Sequence, residues 1–577
     1  MRAIAVIAAT LALLGAASPA PQSSAYRAKL VDLERRYTIW SLQENPTSAT
    51  DAGIHTYDTQ LADFSPAVQT AELEQLHRFR QELLALQPPP GVSRHDFVDY
   101  LLVRSDLEGD WWSRTVLKGL ARNPSIYEGE CTNGIFSLIK KRFASDEVRL
   151  RDAIARLRAC PRVLEQSKAN LTDTVREFAK AASQDIADGD ALYTTSLDAL
   201  AVDVSPKTRA DLHAAQKTAL TALHAYGKWL DSNASTFHEG GFSVGKDQYN
   251  FFLRRVLLLP FDSDEVAAIG RLDLPRDRAL AIWEENRDKY VSGPTVKQPV
   301  FSSTTDFLAY FERSMKQITT FLKTHQIVDV PPYIGPFHIV PLPKALEAVN
   351  TGGFMNPPGM FDKDPEGFYF VPEYNPNNTL FFARQARESV LPLLGHEGIP
   401  GHFMQFSIAF HNPDYIRHVH SDSVFAEGWA LFGEEMLMRT GLYDDNPPAR
   451  KQVVQLMRYR ATRIGVDVGL ATGTFTLPQA IAYFQKTAGI DEATAYGEST
   501  RAAMGPGQLI DYLVGKTQIE ALGGLVRDQE GSAFTLRRFN DRLLSYGTIP
   551  LSAIRYEWLG DDTWLRPVEE PLAPQEF

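Results

Sequence analysis

Two histidines and a glutamate in the stretch "LPLLGHEGIPGHFMQF", residues 391–406, are of the types that bind zinc and activate water. The common zinc-peptidase pattern is H-E-x-x-H, in which the histidines lie four residues apart on one face of a helix. Here His396 and Glu397 are followed by His402, six positions after the first histidine. Since residues i and i+6 of a straight helix point about 120° apart, one regular helix cannot bring both rings to a single ion.

Pro400 and Gly401 separate the two histidines and change this geometry. A proline at position 400 cannot donate a hydrogen bond to the carbonyl group of His396, and its ring clashes there. Glycine tolerates backbone conformations that other residues avoid. We therefore expect the helix to bulge or kink between the histidines, which returns His402 to the side of His396.

The stretch "SVFAEGWALFGEEM" offers the further ligand that zinc requires. Glu427 follows His402 by 25 residues, enough for a turn and a second helix beside the first. A carboxylate in an apolar, aromatic segment is costly unless it is paired or bound to a metal. The alternative is a capping or solvent-facing glutamate. Glu434, seven residues further on, shares the helical face of Glu427 and either supports a ligand or pairs with a basic group.

These residues predict a single Zn²⁺ ion bound by His396, His402 and Glu427. Glu397 is then the general base, which takes a proton from water and passes it to the leaving amine. Tyr512, in the segment "PGQLIDY", is a candidate donor of a hydrogen bond to the oxyanion, or an ordinary half-buried tyrosine.

Three other polar residues are weaker candidates. Asp467 either orients a histidine ring or pairs with Arg463, four residues earlier, and the spacing favours the ion pair. Gln405 is a candidate hydrogen-bond partner of a metal ligand. Arg501 is a candidate for binding the terminal carboxylate of a peptide substrate.

Periodic apolar residues predict a mainly α fold, large and two-lobed, with a small antiparallel β element beside the active-site cleft. Helices are expected to begin at the Ser-Pro pairs at Ser65 and Ser205. The runs "FHIV" and "FYFV" form the β element. The later helices are predicted over 386–410, 422–440, 447–470, 477–486, 506–527 and 531–545.

The N-terminus has the features of a secretory signal peptide: Arg2, an apolar run and small residues. We assign residues 1–17 to the signal, with cleavage as late as residue 20, and the alternative is an uncleaved membrane anchor. Residues 18–327 are predicted to form an N-terminal helical lobe, and residues 328–577 a catalytic lobe that contains both motifs. This organisation predicts an exported protein, periplasmic or extracellular, with no integral membrane segment in the mature chain.

Charge and cysteine content narrow the class of protein. The net charge of −12 argues against non-specific binding to nucleic acid. Only Cys131 and Cys160 occur, which allows one disulfide or two buried free thiols. A zinc site must therefore use histidine and carboxylate ligands.

The runs H-E-G-I-P-G-H-F-M-Q and E-G-W-A-L-F-G-E resemble the bacterial "domain of unknown function 885" family, whose pattern is close to H-E-x-x-P-G-H-x-x-Q followed by E-G-W-A-L-Y-x-E. The similarity extends to "RIGVDVGLATGTFTLPQAIAYF" and "GPGQLIDYLVG". The resemblance implies a mostly helical zinc metallopeptidase of the gluzincin type, often exported, that acts on peptides. It implies His396, His402 and Glu427 as ligands and Glu397 as general base.

The function that follows from these observations is hydrolysis of peptide bonds in short peptides, of the carboxypeptidase or the dipeptidase or oligopeptidase type. Two alternatives stay open: a non-catalytic binding protein on the same fold, and a metal-dependent hydrolase of another amide or an ester, since the metal-water chemistry is the same. The oligomeric state is not specified by the sequence.

Overall fold

α-Helices account for most of the residues in the computed structural model, which describes residues 21–291, 299–347, 353–378 and 381–569. The predicted signal peptide, residues 1–17, lies outside the described residues. The helices of the first part of the chain are α1 Pro21–Glu44, α2 Pro46–Asp51, α3 Pro66–Ala85, α4 Arg94–Trp112, α5 Gly119–Arg122, α6 Ser125–Ile139, α7 Asp146–Asn170, α8 Arg176–Asp188, α9 Leu197–Leu200, α10 Pro206–Asn233, α11 Lys246–Phe251, α12 Ser263–Glu285 and α13 Thr304–His325. Those of the second part are α14 Lys344–Glu347, α15 Phe381–Glu388, α16 Leu391–Glu397, α17 His402–Ala409, α18 Tyr415–Val419, α19 Ser423–Arg439, α20 Pro447–Thr472, α21 Leu477–Ala488, α22 Glu492–Met504, α23 Asp511–Glu530, α24 Leu536–Ser545, α25 Leu551–Leu559 and α26 Arg566–Glu569.

Local sequence signals explain where several helices begin. The predicted starts at the Ser-Pro pairs are confirmed by α3 and α10, and the Ser205 side chain accepts a hydrogen bond from the backbone N–H of Thr208. The helices predicted over 422–440 and 447–470 correspond to α19 and α20. The helix predicted over 386–410 is divided into α15, α16 and α17, and α22 has no counterpart among the predicted helices.

A three-stranded sheet interrupts the helices, with strands β1 Phe337–Pro341, β2 Phe354–Asn356 and β3 Gly367–Val371 in the order β1-β3-β2. The mainly α fold with a small sheet is confirmed. The antiparallel pairing expected for "FHIV" and "FYFV" is wrong, because β1 and β3 run parallel and only the unpredicted β2 is antiparallel to β3. The connection between β1 and β3 contains α14 and β2, and is long enough to return the chain to the same end of the sheet.

The sheet lies between two hydrophobic clusters. Successive side chains of β3 point to opposite faces, so Phe370 joins one cluster while Tyr369 and Val371 join the other. The cluster with Phe370 is built mainly from α6, α7 and α10. The larger cluster takes residues from both sides of the predicted lobe boundary at residue 328, among them those of α1, α4, α13, α16, α19 and α25. The predicted division into two lobes stays a prediction.

A disulfide joins Cys131 of α6 to Cys160 of α7, with Cα atoms 5.5 Å apart. Both cysteines are buried in the cluster that also contains Phe370. Of the two alternatives that the sequence left open, the structure therefore has the bridge. In the part of the chain that the structure describes, no helix is long and apolar enough to cross a membrane.

A network of ion pairs ties the N-terminal helix to the C-terminal half. Arg27 of α1 contacts Asp99 of α4 and Asp414, the residue before α18. Arg417 of α18 contacts Asp99 at 3.0 Å and Glu557 of α25 at 2.6 Å. Because Asp99 and Arg417 are buried, the network fixes how these four helices meet.

We expect stability to depend on pH through His95, which contacts Asp99, Asp414 and Glu557 in this network. The hydrogen bond to Asp414, helped by that to Glu557 and opposed by burial and by Arg417, raises the pKa of His95 from 6.5 to about 9. A raised folded-state pKa contributes stability that is complete below pH 6.5 and is lost as the pH rises through 9.

Substitution of His95 by alanine should therefore lower the melting temperature at pH 6, and the difference from the parent protein should shrink steadily up to pH 10. Thermal unfolding followed by circular dichroism measures it. His213→Ala, at an exposed histidine of α10, is the control. A His95→Ala deficit that is constant from pH 6 to pH 10 would contradict the assignment.

Candidate metal centre

The chain between the two histidines leaves the helix altogether. α16 ends at Glu397 and α17 begins at His402, and the four residues between them contain the cis peptide bond before Pro400. A Cβ atom on Gly401 would lie 1.8 Å from the carbonyl oxygen of His396, so only glycine fits there. The expected bulge or kink is therefore a full break between two helices, which frees the direction of His402 from that of His396.

The sheet supports this break directly. A Cβ atom on Gly398 would lie 2.7 Å from the ring of Phe337 in β1. The same ring stacks on Phe403, in the first turn of α17, with ring centroids 4.7 Å apart. Gly367 at the start of β3 leaves the space that Phe403 fills, since a Cβ atom there would lie 2.2 Å from the Phe403 ring. The β element thus packs against the histidine motif, as the sequence predicts.

The three predicted metal ligands converge. Nε2 of His402 lies 3.2 Å, and Nε2 of His396 3.6 Å, from Oε2 of Glu427. One ligand atom from each of the three residues lies within 4.8 Å of the other two. Oε2 of Glu427 is buried and has no well-formed hydrogen bond with a described residue. Two imidazoles and one carboxylate with a free oxygen are a donor set that fits Zn²⁺.

The helix α19 provides a carboxylate on each side of the His396 imidazole, one near Nδ1 and one near Nε2. Oε1 of Glu434 lies 2.8 Å from Nδ1 of His396, whereas Glu427, two turns earlier on α19, faces Nε2 of the same ring. A carboxylate on Nδ1 fixes the ring orientation and leaves the Nε2 lone pair for a metal. The same helix fixes the break, because the Trp429 indole donates a hydrogen bond of 2.8 Å to the carbonyl group of Pro400. Glu434 is therefore a buried support of His396, not a surface residue.

Close packing between α19 and α23 brings Tyr512 to the site. Gly428 and Gly515 meet without side chains between them, and a Cβ atom on Gly515 would lie 2.0 Å from the carbonyl oxygen of Val424. One turn before Gly515 on α23, the Tyr512 ring lies nearly parallel to that of His396, with centroids 6.3 Å apart. The predicted oxyanion donor is thus next to a predicted ligand.

Glu397 is the last residue of α16 and is half-buried. Its charge acts on both His396 and Tyr369, since after burial it is the cause that raises the pKa of Tyr369. The candidate base therefore lies beside the ligand set and is not one of its members.

The family model described as "Bacterial protein of unknown function (DUF885)" matches residues 46–557. The chain belongs to the DUF885 family. Two solved structures resemble this DUF885 protein over nearly its whole length. One, from Shewanella oneidensis, is described as "a putative lipoprotein of unknown function"; it is 20% identical, with a TM-score of 0.72, over 94% of this chain and 100% of the other. The second, a "putative lipoprotein" from Colwellia psychrerythraea, is 16% identical, with a TM-score of 0.75, over 93% and 98% of the two chains. At these identities the similarity shows the fold alone. No curated protein matches the chain.

The two imidazoles of the DUF885 protein pair with the Glu427 carboxylate. Burial lowers the pKa of His396, but the neighbouring carboxylates of Glu427 and Glu434 outweigh it and raise this pKa to about 10. Burial raises the pKa of Glu427, yet the imidazoles of His396 and His402 hold it well below its usual range. His396 and Glu427 are therefore electrostatically coupled, as neighbouring members of one site.

Two weaker sequence candidates have structural roles. Among the described residues, Asp467 neither orients a histidine nor pairs with Arg463. It accepts hydrogen bonds of 2.8 Å from Tyr249 and from the backbone N–H of Gly507, and so anchors the loop before α23. The one hydrogen bond that the structure describes for the Gln405 side chain is a long one of 3.5 Å, from its amide nitrogen to the Phe425 carbonyl group in α19.

Arg463 and the unpredicted Arg460 lie beside Tyr512. Their guanidinium carbons are 4.7 and 5.3 Å from the centroid of the Tyr512 ring. Arg501, the predicted carboxylate-binding residue, is more exposed and pairs with Glu498, which also contacts Arg463. Sequence reasoning missed Arg460 because α20 contains several charged residues, and only the structure shows that most of this helix is buried.

A second group with metal-ligand geometry consists of His95, Asp99 and Asp414. Its carboxylates already form ion pairs with Arg27 and Arg417, so a metal ion would have to displace these arginines in order to bind. We therefore expect one ion per chain, at the His396 site.

An acidic cavity of about 400 Å³ lies near the candidate metal centre. Ser423 lines it and lies one helical turn before Glu427 on α19. The charged residues that line the cavity are Glu34, Asp106, Asp110, His420 and Asp422. The cavity has a size suitable for part of a small ligand.

We expect Gly401→Ala to weaken zinc binding by at least about tenfold and to lower the free energy of unfolding by ~1–3 kcal/mol, because the added methyl group collides with the His396 carbonyl oxygen. Competition with a chromogenic chelator and thermal unfolding measure the two effects. Gly524→Ala is the control, since a Cβ atom there meets nothing within 4 Å. Equal zinc affinity in both variants would contradict the role of the break.

We expect Glu434→Gln to lower zinc affinity by about 10–100-fold, because the amide keeps the shape but loses the charge that supports His396. Metal content after dialysis against graded chelator concentrations measures it. Glu74→Gln, at an exposed position of α3, should leave the affinity unchanged. An unaltered affinity in Glu434→Gln would show that this carboxylate does not tune the site.

Proposed function

We propose that this protein is an exported zinc metallopeptidase that hydrolyses peptide bonds of short peptides. The observation that carries the proposal is the convergence of His396, His402 and Glu427 around one point, with Glu397 beside it. When bound, a zinc ion would supply the Lewis acidity that polarises a carbonyl group and acidifies water.

Each neighbouring side chain has a definite task in this reaction. The Glu397 carboxylate accepts a proton from the attacking water and returns it to the amine that leaves. The Tyr512 hydroxyl donates a hydrogen bond to the carbonyl oxygen as negative charge develops there. Burial raises the pKa of Tyr512 to about 12, although Arg463 lowers it, so the hydroxyl keeps its proton at neutral pH. Glu434 holds the His396 ring in place.

Three observations support export. The N-terminal residues have the pattern of a signal peptide. The Cys131–Cys160 disulfide is typical of an oxidising compartment. The two similar structures are described as lipoproteins, which are exported or membrane-associated proteins. We propose a periplasmic or extracellular location.

The proposal is tested with purified mature protein loaded with one equivalent of zinc. We expect it to cleave members of a mixed library of short peptides, with products identified by mass spectrometry. Glu397→Gln should retain the metal and lose about 100–10,000-fold in kcat, as expected for removal of a general base. His402→Ala should lose the metal.

Two outcomes contradict the proposal. A parent protein that binds no stoichiometric metal excludes the metal centre. Equal cleavage by the parent protein and Glu397→Gln shows that the activity comes from elsewhere. If metal is bound but no peptide is cleaved, parallel panels of ester and non-peptide amide substrates distinguish another hydrolase from a binding protein.

A further inference from the structure

We propose that Arg460 and Arg463 bind the free C-terminal carboxylate of the peptide substrate, so that the protein removes one to three residues from the C-terminus. This inference rests on the proposed peptidase function and adds the substrate class to it. It depends on the position, the unsatisfied hydrogen-bonding groups and the charge balance of the two arginines.

The two guanidinium groups are buried side by side. Arg460 and Arg463 lie on one face of α20, three residues apart, and are 7% and 4% exposed. The Arg463 group is held by Glu498, with its Nε 2.9 Å and its Nη2 2.7 Å from the same carboxylate oxygen. Arg460 is held more loosely, with Nη2 3.6 Å from Oε1 of Glu434. Two fixed planar cations form a frame that suits a carboxylate.

Three of their donor groups lack an acceptor within the described part of the chain. These are Nε and Nη1 of Arg460 and Nη1 of Arg463, all buried. A buried charged donor without a partner is costly, so such a group is normally satisfied by water or by a ligand. A carboxylate accepts several hydrogen bonds at once and can satisfy donors from both arginines.

The donors lie one aromatic ring away from the metal ligands. The Tyr512 ring has the Arg460 and Arg463 guanidinium groups 5.3 and 4.7 Å from its centroid. The same ring lies 6.3 Å from the His396 ring and nearly parallel to it. An extended peptide spans about 3.3–3.6 Å per residue. A carboxylate bound by the arginines therefore places a peptide bond one to three residues inward at the candidate metal centre.

The local charges favour an anion. Arg460 contacts Glu434, and Arg463 and Arg501 contact Glu498. The group carries one positive charge in excess, and an incoming carboxylate would balance it. The cavity near Ser423 is lined by four carboxyl groups and His420, so it suits an amino group instead. The two regions thus predict opposite preferences for the ends of a peptide.

Blocked peptides test the assignment. One short peptide is prepared in three forms: with both termini free, with an acetylated N-terminus, and with an amidated C-terminus. We expect amidation to lower kcat/KM by at least about 100-fold, because it leaves buried donors without an anion. N-acetylation should change it less than about threefold, within the range of a group that does not bind tightly. Mass spectrometry should show peptides shortened by one to three residues at the C-terminus, and none shortened at the N-terminus.

Equilibrium binding provides a readout apart from turnover. The probes are N-acetyl-dialanine and its C-terminal amide, titrated into zinc-loaded Glu397→Gln protein. We expect the acid to bind at least about tenfold more tightly than the amide. In the Glu397→Gln protein, a further Arg460→Lys substitution should reduce this ratio. In the otherwise unchanged active protein, Arg460→Lys should raise KM for the peptide with free termini and leave the zinc content unchanged. Arg463→Lys should act in the same direction, and Arg271→Lys, at an exposed position of α12, should have no effect.

The outcomes separate the two proposals. If no form of the peptide is cleaved by zinc-loaded protein, the proposed peptidase function fails. If peptides are cleaved equally with a free or an amidated C-terminus, the arginine assignment fails and the peptidase function stands. If N-acetylation abolishes cleavage and amidation does not, trimming occurs from the N-terminus with the acidic cavity as the binding site, which also overturns the assignment.

Discussion

The hydrogen bond from the Trp429 indole to the Pro400 carbonyl group ties together the parts on which the site depends. Pro400 lies inside the break that separates the two histidines, whereas Trp429 lies on the helix that contributes Glu427 and Glu434. The break gives the histidines independent directions, and the bond fixes the break to the helix that carries the carboxylates. All three predicted ligands thereby share one rigid framework, which is what a site of fixed geometry requires.

Small residues make that framework possible by letting backbones approach each other. Gly401 lies against the end of α16, Gly398 against β1, and Gly428 and Gly515 allow α19 to touch α23. At each of these contacts a single methyl group would displace a helix that carries a site residue. The sheet has a corresponding role, since its Phe337 fills the space beside the break while β3 joins the two hydrophobic clusters. The fold and the site are therefore held by the same contacts.

The sequence was sufficient to predict the mainly α fold, the starts at the Ser-Pro pairs and the meeting of His396, His402 and Glu427, because each follows from a local pattern. It was not sufficient for properties set by distant contacts. The degree of distortion at Pro400 depends on Phe337 and Trp429, and the parallel pairing of β1 with β3 depends on the connection between them. Asp467 is similar: its partners, Tyr249 and the Gly507 backbone, come from other segments, so spacing to Arg463 was misleading.

The contact between Arg27 and Asp414 has a consequence for how the chain is made. The two residues are 387 positions apart, and Glu557 joins their network later still. At synthesis rates of about 5–20 residues per second, α1 waits tens of seconds for Asp414, although α3 and α4, which also contact α1, are made soon after it. A nascent chain therefore cannot complete this ion-pair network until nearly all of the protein has been made. In a chain threaded through a translocation channel, the network would form only when transport is nearly complete.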